Sequence, residues 1–222
     1  MPKIFLDYGH GGNDSGTVGN GVLEKNIVLI IGKRVAYHLR RHSQTVIESR
    51  TTDVNPSLSD RSNLANSNNV DLSVSIHCNG FGDTSVKGFE IFTYGTGSRE
   101  IGLAKSIHNQ IKRNNLLYVD RGIKQENLHM VREIKTASVL VELGFITNDM
   151  DRKLILDNTE KFAIAITRGI LDFYQMAYKS ETFDKPNTDK LYRVQVGAYK
   201  DKNNALNMQK KLKGLGIESI IV

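Results

Sequence analysis

Lys3-Ile4-Phe5-Leu6-Asp7-Tyr8-Gly9-His10-Gly11-Gly12 is the stretch from which the rest of the chain can be read. The apolar run Ile4 to Leu6 predicts a buried strand, and the glycines around His10 end it. An imidazole is thereby delivered at the end of a strand, on backbone that can bend sharply and leave room beside the ring. In an open α/β sheet that edge is where ligands bind. A single histidine beside glycines is as readily a plain loop residue, so its role depends on which other side chains share that edge.

Working outward, Glu24 opens a helical pattern in which Val28, Ile31, Val35 and Leu39 recur at three- and four-residue spacings, just after the Gly19-Asn20-Gly21 loop. The positive end of the helix dipole favours an ionised carboxylate there, although an acidic residue in a first turn can also be no more than a cap. Thr45 to Ile47 reads as a second strand and Leu58 to Asn69 as a polar-faced helix. Asp71 to Ile76 reads as a third strand running into His77-Cys78-Asn79-Gly80, so a second histidine stands at a strand terminus. Two histidines and one acid at such positions make a three-ligand metal set. Cys78 points the other way from His77 in extended backbone and reads as packing. His38, His42 and His108 fall in helical, basic stretches and are expected to be solvated; His129 lies in a short apolar segment and is left open.

Gly88 to Thr93 predicts a fourth strand, and Ser98 to Asn114 a helix with Ile101, Ala104, Ile107 and Ile111 on its core face. Residues 115–127 lack periodicity and are expected to be a surface segment near the site. Val139 to Leu143 is a β-branched run that contains Glu142 and stops at Gly144; a carboxylate there is expensive to bury without a partner. Glu160 to Tyr178 predicts the helix that closes the core, with Phe162, Ile166, Ile170, Phe173 and Ala177 on one face. The fold class that results is α/β: a mixed, mostly parallel twisted sheet flanked by helices, with a small C-terminal βαβ unit.

At 222 residues, 39% of them hydrophobic, the chain can build one large domain and something small. No apolar run approaches the roughly 20 residues of a membrane helix, so membrane insertion is not expected. A signal-peptide core is not visible either, so the chain is expected to accumulate in the cytoplasm or to leave it by a route other than ordinary secretion. The single cysteine excludes an internal disulfide. Net charge is +6, and residues 181–222 carry 8 Lys and Arg against 5 Asp and Glu, half of the excess in about a fifth of the length. That balance suits polyanions, whether nucleic acid, anionic membrane or anionic wall polymer.

Asp7-Tyr8-Gly9-His10-Gly11-Gly12, Glu24, Ser75-Ile76-His77-Cys78-Asn79 and Glu142-Leu143-Gly144-Phe145-Ile146-Thr147-Asn148 together resemble the ordered motifs of the zinc-dependent N-acetylmuramoyl-L-alanine amidases of type 3. The resemblance spans residues 2 to about 178 and extends to Glu48-Ser49-Arg50-Thr51, Leu58, Arg61, Ala65 and Asn66. It departs from the family pattern at Tyr8 and Ala137, where proline is common. It implies a phosphorylase/hydrolase-like amidase fold and one Zn²⁺ held by His10, Glu24 and His77. It also implies Glu142 as the catalytic carboxylate, with peptidoglycan as substrate. Two neutral imidazoles and one carboxylate leave a tetrahedral zinc an open position, the hydrolytic arrangement. Asn79 is either a substrate contact or a loop-capping amide. Asp7 is either an orienting partner for a ligand or a turn-forming residue.

The resemblance divides the chain into a catalytic domain at 1–179, a linker at 180–190 and a repeat at 191–222 similar to one sporulation-related (SPOR) repeat, a module that binds glycan strands in relatives. In that repeat a strand around Tyr192 to Ala198, a helix from Asp201 to Lys213 and a strand from Ile217 to Val222 are expected. A lone βαβ unit cannot bury both its helix and its sheet face. Two chains pairing their tails into a homodimer, or the tail docking on its own catalytic domain, would cover it. A catalytically silent wall-binding protein is the alternative function. An RNA-recognition reading of the tail would rest on Tyr192 and Tyr199 alone, too little aromatic surface for nucleic acid to be the expected partner.

Overall fold

The run after Pro2 forms β1 (Lys3–Tyr8), and the chain then makes a short hairpin of β2 (Val18–Gly19) and β3 (Val22–Leu23). There follow α1 (Glu24–Arg41), β4 (Thr45–Glu48), α2 (Leu58–Ser67), β5 (Leu72–Asn79), β6 (Phe89–Thr93) and α3 (Ser98–Arg113). β7 (Asp120–Gln125), α4 (His129–Arg132), β8 (Ala137–Phe145), α5 (Asp149–Asp157) and α6 (Thr159–Phe173) complete the first of two units, Met1–Lys179 and Ser180–Val222. This is a computed structural model, and it describes residues 1–180, 197–214, 219 and 221.

Six strands form one sheet in the order β4-β1-β5-β8-β6-β7. β4, β1, β5 and β8 are parallel; β6 runs antiparallel to β8, and β7 is parallel to β6. Because side chains alternate along each strand, the register sorts the sheet into two unlike faces. One face carries Ile4, Leu6, Tyr8, Leu72, Val74, Ile76, Cys78, Val139, Val141 and Leu143, buried in the main core with residues of α1, α3 and α6. Each such fully buried aliphatic side chain contributes about 1.5–3 kcal/mol. The other face carries Asp7, Ser73, Ser75, His77, Ser138, Glu142 and Glu90, aligned by the pairs Asp7–Ser75, His77–Glu142 and Glu142–Glu90. Part of this polar face is covered by a small apolar cluster of Phe5, Ala65, Val70, Met130 and Ile134.

Three helices pack on the apolar face. α1 buries Val28, Ile31, Val35 and Leu39, as its spacing predicts, and Ile27 beside them. It approaches β1 closely, since a Cβ at Gly32 would lie 2.2 Å from the Tyr8 ring. α3 and α6 cross at Gly169, where a Cβ would lie 2.5 Å from Ile107 Cα. Ser57 and Asp60 form a capping box that starts α2.

Several expectations are corrected. Residues 115–127 contain the edge strand β7, whose polar composition reflects its half-buried position. β5 continues through His77 to Asn79, and β8 through Gly144 to Phe145, so both site residues lie inside strands. α6 ends at Phe173 and Ala177 is exposed. On α3, Leu103 is fully buried where Ile101 is only half-buried. His38 and His42 are buried and His108 mostly so, each with a partner: Glu160, the His38 carbonyl and Asp120 respectively. The Gly19-Asn20-Gly21 loop is a hairpin turn with positive φ at Asn20 and Gly21.

In the second unit, α7 (Lys202–Gly214) places half-buried Ala205, Met208 and Leu212 on one face, as the spacing predicts. The linker at 181–190, the strand from Tyr192 and most of the run from Ile217 lie outside the described residues. The pairing of two tails, which depends on those strands, lies outside them as well.

Candidate metal and catalytic site

The loop after β1 is shaped by two buried arginines. Arg50 donates from Nε to the Tyr8 carbonyl at 2.9 Å and from Nη2 to the Gly9 carbonyl at 3.0 Å. Arg61 donates from Nη1 to Asp7 Oδ1 at 2.8 Å and to the Tyr8 carbonyl at 2.7 Å, and from Nη2 to the His10 carbonyl at 2.8 Å. Three successive carbonyls are thus fixed from below, and His10 is held at φ 59°, the left-handed region that a non-glycine residue seldom occupies. Gly9 and Gly16 make the room that the sequence suggests. A Cβ at Gly9 would lie 2.2 Å from His77 Cε1, and one at Gly16 would lie 2.6 Å from both Glu24 Oε2 and His10 Cδ2.

Glu24 begins α1, His10 leaves β1 and His77 lies near the end of β5, and the three converge: one donor atom from each lies within 4.8 Å of the others. His10 Nε2 is 3.1 Å and His77 Nδ1 3.0 Å from Glu24 Oε1. The backbone N–H of Cys78 donates to the same oxygen at 2.9 Å, and that of Thr17 to Oε2 at 2.8 Å. Cys78 therefore meets the site through its main chain while its thiol is buried in the core. Burial resists ionisation of Glu24, but the two histidines outweigh it and hold the carboxyl well below its ordinary range. Burial likewise opposes charge on His10, yet its bonds to Glu24 and Asp14 raise it to about 9.

Asp14 was not singled out by sequence. Its Oδ2 lies 2.8 Å from His10 Nδ1, leaving Nε2 turned toward Glu24. The only signal was its four-residue spacing from His10 in a glycine-rich turn, closed here by the Gly11–Asp14 bridge. Asp7 does not orient a ligand directly: it is buried, paired with Arg61, and accepts from Ser75 Oγ at 2.5 Å. The donor chemistry fits a divalent metal of the zinc type: two imidazole nitrogens and a carboxylate oxygen, with a carboxylate behind one imidazole.

Glu142 stands beside His77 in the β5–β8 ladder. It is partly exposed, but its Oε2 is buried and has no hydrogen-bond partner among the described residues. Burial pushes its carboxyl up to about 7, against the opposing pull of His77. Asn79 donates from Nδ2 to Glu90 Oε1 at 2.6 Å and accepts from the Gly80 N–H at 2.8 Å, so both ends of its amide are engaged within the protein. The arrangement can bind a divalent ion and present, one strand away, a carboxylate poised to accept and release a proton near neutral pH.

The sequence profile of the N-acetylmuramoyl-L-alanine amidase family matches residues 4–172, and that of the SPOR domain matches residues 173–222. The sporulation-specific N-acetylmuramoyl-L-alanine amidase of Bacillus subtilis is 35% identical over 225 aligned residues, covering 100% of this chain and 85% of that protein. Among solved structures, the N-acetylmuramoyl-L-alanine amidase AmiC2 of Nostoc punctiforme superposes with a TM-score of 0.74 and 34% identity, over 78% of this chain and 97% of that one. The catalytic domain of the amidase CwlV from Bacillus (Paenibacillus) polymyxa gives 0.75 and 28%, over 80% and 100%.

Proposed function

This chain belongs to the N-acetylmuramoyl-L-alanine amidase family, and we propose how its residues divide the hydrolysis of peptidoglycan among them. The bond cut is the amide between the lactyl group of N-acetylmuramic acid and the L-alanine of the stem peptide. His10, Glu24 and His77 hold one Zn²⁺, with Asp14 fixing the His10 ring. Bound there, zinc supplies Lewis acidity, polarising a carbonyl and making water a stronger acid. Glu142 takes the proton from the attacking water and hands it to the leaving nitrogen, a role that burial favours by making its carboxyl a better proton acceptor. Arg50 and Arg61 keep the His10 loop in its strained form, and Asn79 acts through Glu90 rather than on substrate. The observation that carries this reading is the convergence of three distant donors beside Glu142.

The second unit is read as a module that binds glycan strands and keeps the enzyme on the wall. A catalytically silent wall-binding protein is not favoured, because the family profile and its amidase relatives support the hydrolase and none of the residues proposed for the chemistry is substituted. Mass analysis of purified wall after digestion is the test. Stem peptides with new L-alanine amino termini are expected, lost on chelation and regained with Zn²⁺. New reducing sugar ends instead would overturn the assignment.

A further inference from the structure

Past Glu142, the polar face of the sheet runs into a cationic corner. Glu90 lies directly opposite Glu142 across the β6–β8 ladder and is buried. Its Oε2 accepts from Arg121 Nε at 2.9 Å and from Lys124 Nζ, while its Oε1 accepts from Asn79. Two cations on one carboxylate leave one positive charge in excess. Arg121 is immobilised on three sides: by Glu90, by the Phe145 ring 5.0 Å from its guanidinium carbon, and by Gly88, where a Cβ would come within 2.8 Å of Arg121 Cγ. The β6–β7 register slips between the pairs Phe89–Asp120 and Glu90–Gly122, which leaves Arg121 as an extra residue whose side chain can be turned toward the site.

This fixed guanidinium uses one of its five donors. Neither Nη group has an acceptor among the described residues, and the side chain is 32% exposed. An arginine anchored at Nε with its Nη groups unused is prepared to grip a carboxylate. Resting on the amidase reading above, we propose that Arg121 binds a carboxylate of the stem peptide, on the leaving side of the cut amide and within two residues of it. Two extended residues span about 7 Å. β7 lies two strands, about 10 Å, from β8, and the contacts to Glu90 and Phe145 bring Arg121 back across part of that gap. The metal ligands occupy the opposite side of Glu142, so the acidic peptide and the rest of the substrate fall on different sides of it.

The full chain is titrated with L-alanyl-D-glutamate blocked at its γ-carboxyl as the methylamide, and with the α-amide of the same peptide, which has no carboxylate, while the Arg121 Nε–H resonance is followed by NMR. A shift with the acid and none with the amide is expected. Equal responses to the two, or an equal response to inorganic phosphate, would overturn the proposal. In parallel, kcat/KM is compared on wall fragments with a free or an amidated second stem residue. A preference for the free acid of roughly tenfold or more is expected, falling toward unity in Arg121→Lys. That variant keeps a cation on Glu90 and hence the fold, but lacks the fork; Arg121→Gln is the second variant. A preference that survives both would also overturn the proposal. Absence of new L-alanine termini from any wall would instead fail the amidase reading, while the dipeptide titration still decides the role of Arg121.

Discussion

At the scale of single residues, the site is a set of charges that burial and neighbours have moved off their ordinary values. Glu142→Gln removes the carboxylate proposed to carry the proton, and peptide release from wall is expected to fall by about 10²–10⁴-fold. The thermal midpoint of the same variant should hold or rise, because the amide removes a carboxylate whose buried oxygen has no partner. A fall in stability matching the loss of activity would mean that Glu142 is structural. His10 is kept protonated up to about 9, so a metal must displace a proton to use its ring nitrogen. Uptake at pH 7 should therefore release protons, and apparent affinity should climb with pH until about 9 and then level. Calorimetry in buffers of different ionisation enthalpy checks this; heats independent of buffer would contradict it. The metal-free pair has the matching stability effect, full below the unfolded value of 6.5 and lost as pH rises through about 9. Residue type and position made His10, Glu24, His77 and Glu142 candidates and the family resemblance supplied their roles, whereas Asp14 was not reached, because a carboxylate in a turn has too many other uses.

At the scale of elements, close approach decides more than propensity. Alanine would favour the interior of α6 over Gly169 by roughly 1 kcal/mol in an isolated helix. Here its Cβ would meet the backbone of α3 at Ile107, and pushing two packed helices apart costs about 1–3 kcal/mol or more. Gly169→Ala should thus lower the urea midpoint, by a net loss of up to about 2 kcal/mol. A raised midpoint would show that the crossing can yield. The apolar periodicities of α1 and α6 and the runs of β1, β5 and β8 were legible because burial on one side imposes them. β7 was not, since an edge strand with Arg121 and Lys124 turned to Glu90 has no periodic signature. His38 and His42 looked solvated among basic neighbours. Their environment is made by Glu160 and by the returning Tyr178 and Lys179, more than 120 residues away.

At the scale of the whole molecule, the two units should separate in function. A chain ending at Lys179 keeps the entire six-stranded sheet and its core. Its thermal midpoint should stay within a few degrees of the parent, while co-sedimentation with purified sacculi should drop several-fold. Undiminished sedimentation would remove wall binding from the second unit. The amino-acid sequence alone placed β1, β4, β5, β6 and β8 and the helices α1, α2, α3 and α6, carried the resemblance to the family, and made His10, Glu24, His77 and Glu142 candidates for metal-assisted hydrolysis. Hydrophobic period and donor type are local properties, written residue by residue. Only the tertiary structure decided that His10, Glu24 and His77 converge beside Glu142, that Asp14, Arg50 and Arg61 hold His10 and its loop there, and that Glu90 gathers two cations opposite Glu142. Those facts depend on strand order and register, which bring together residues far apart in the chain through contacts that no single segment encodes.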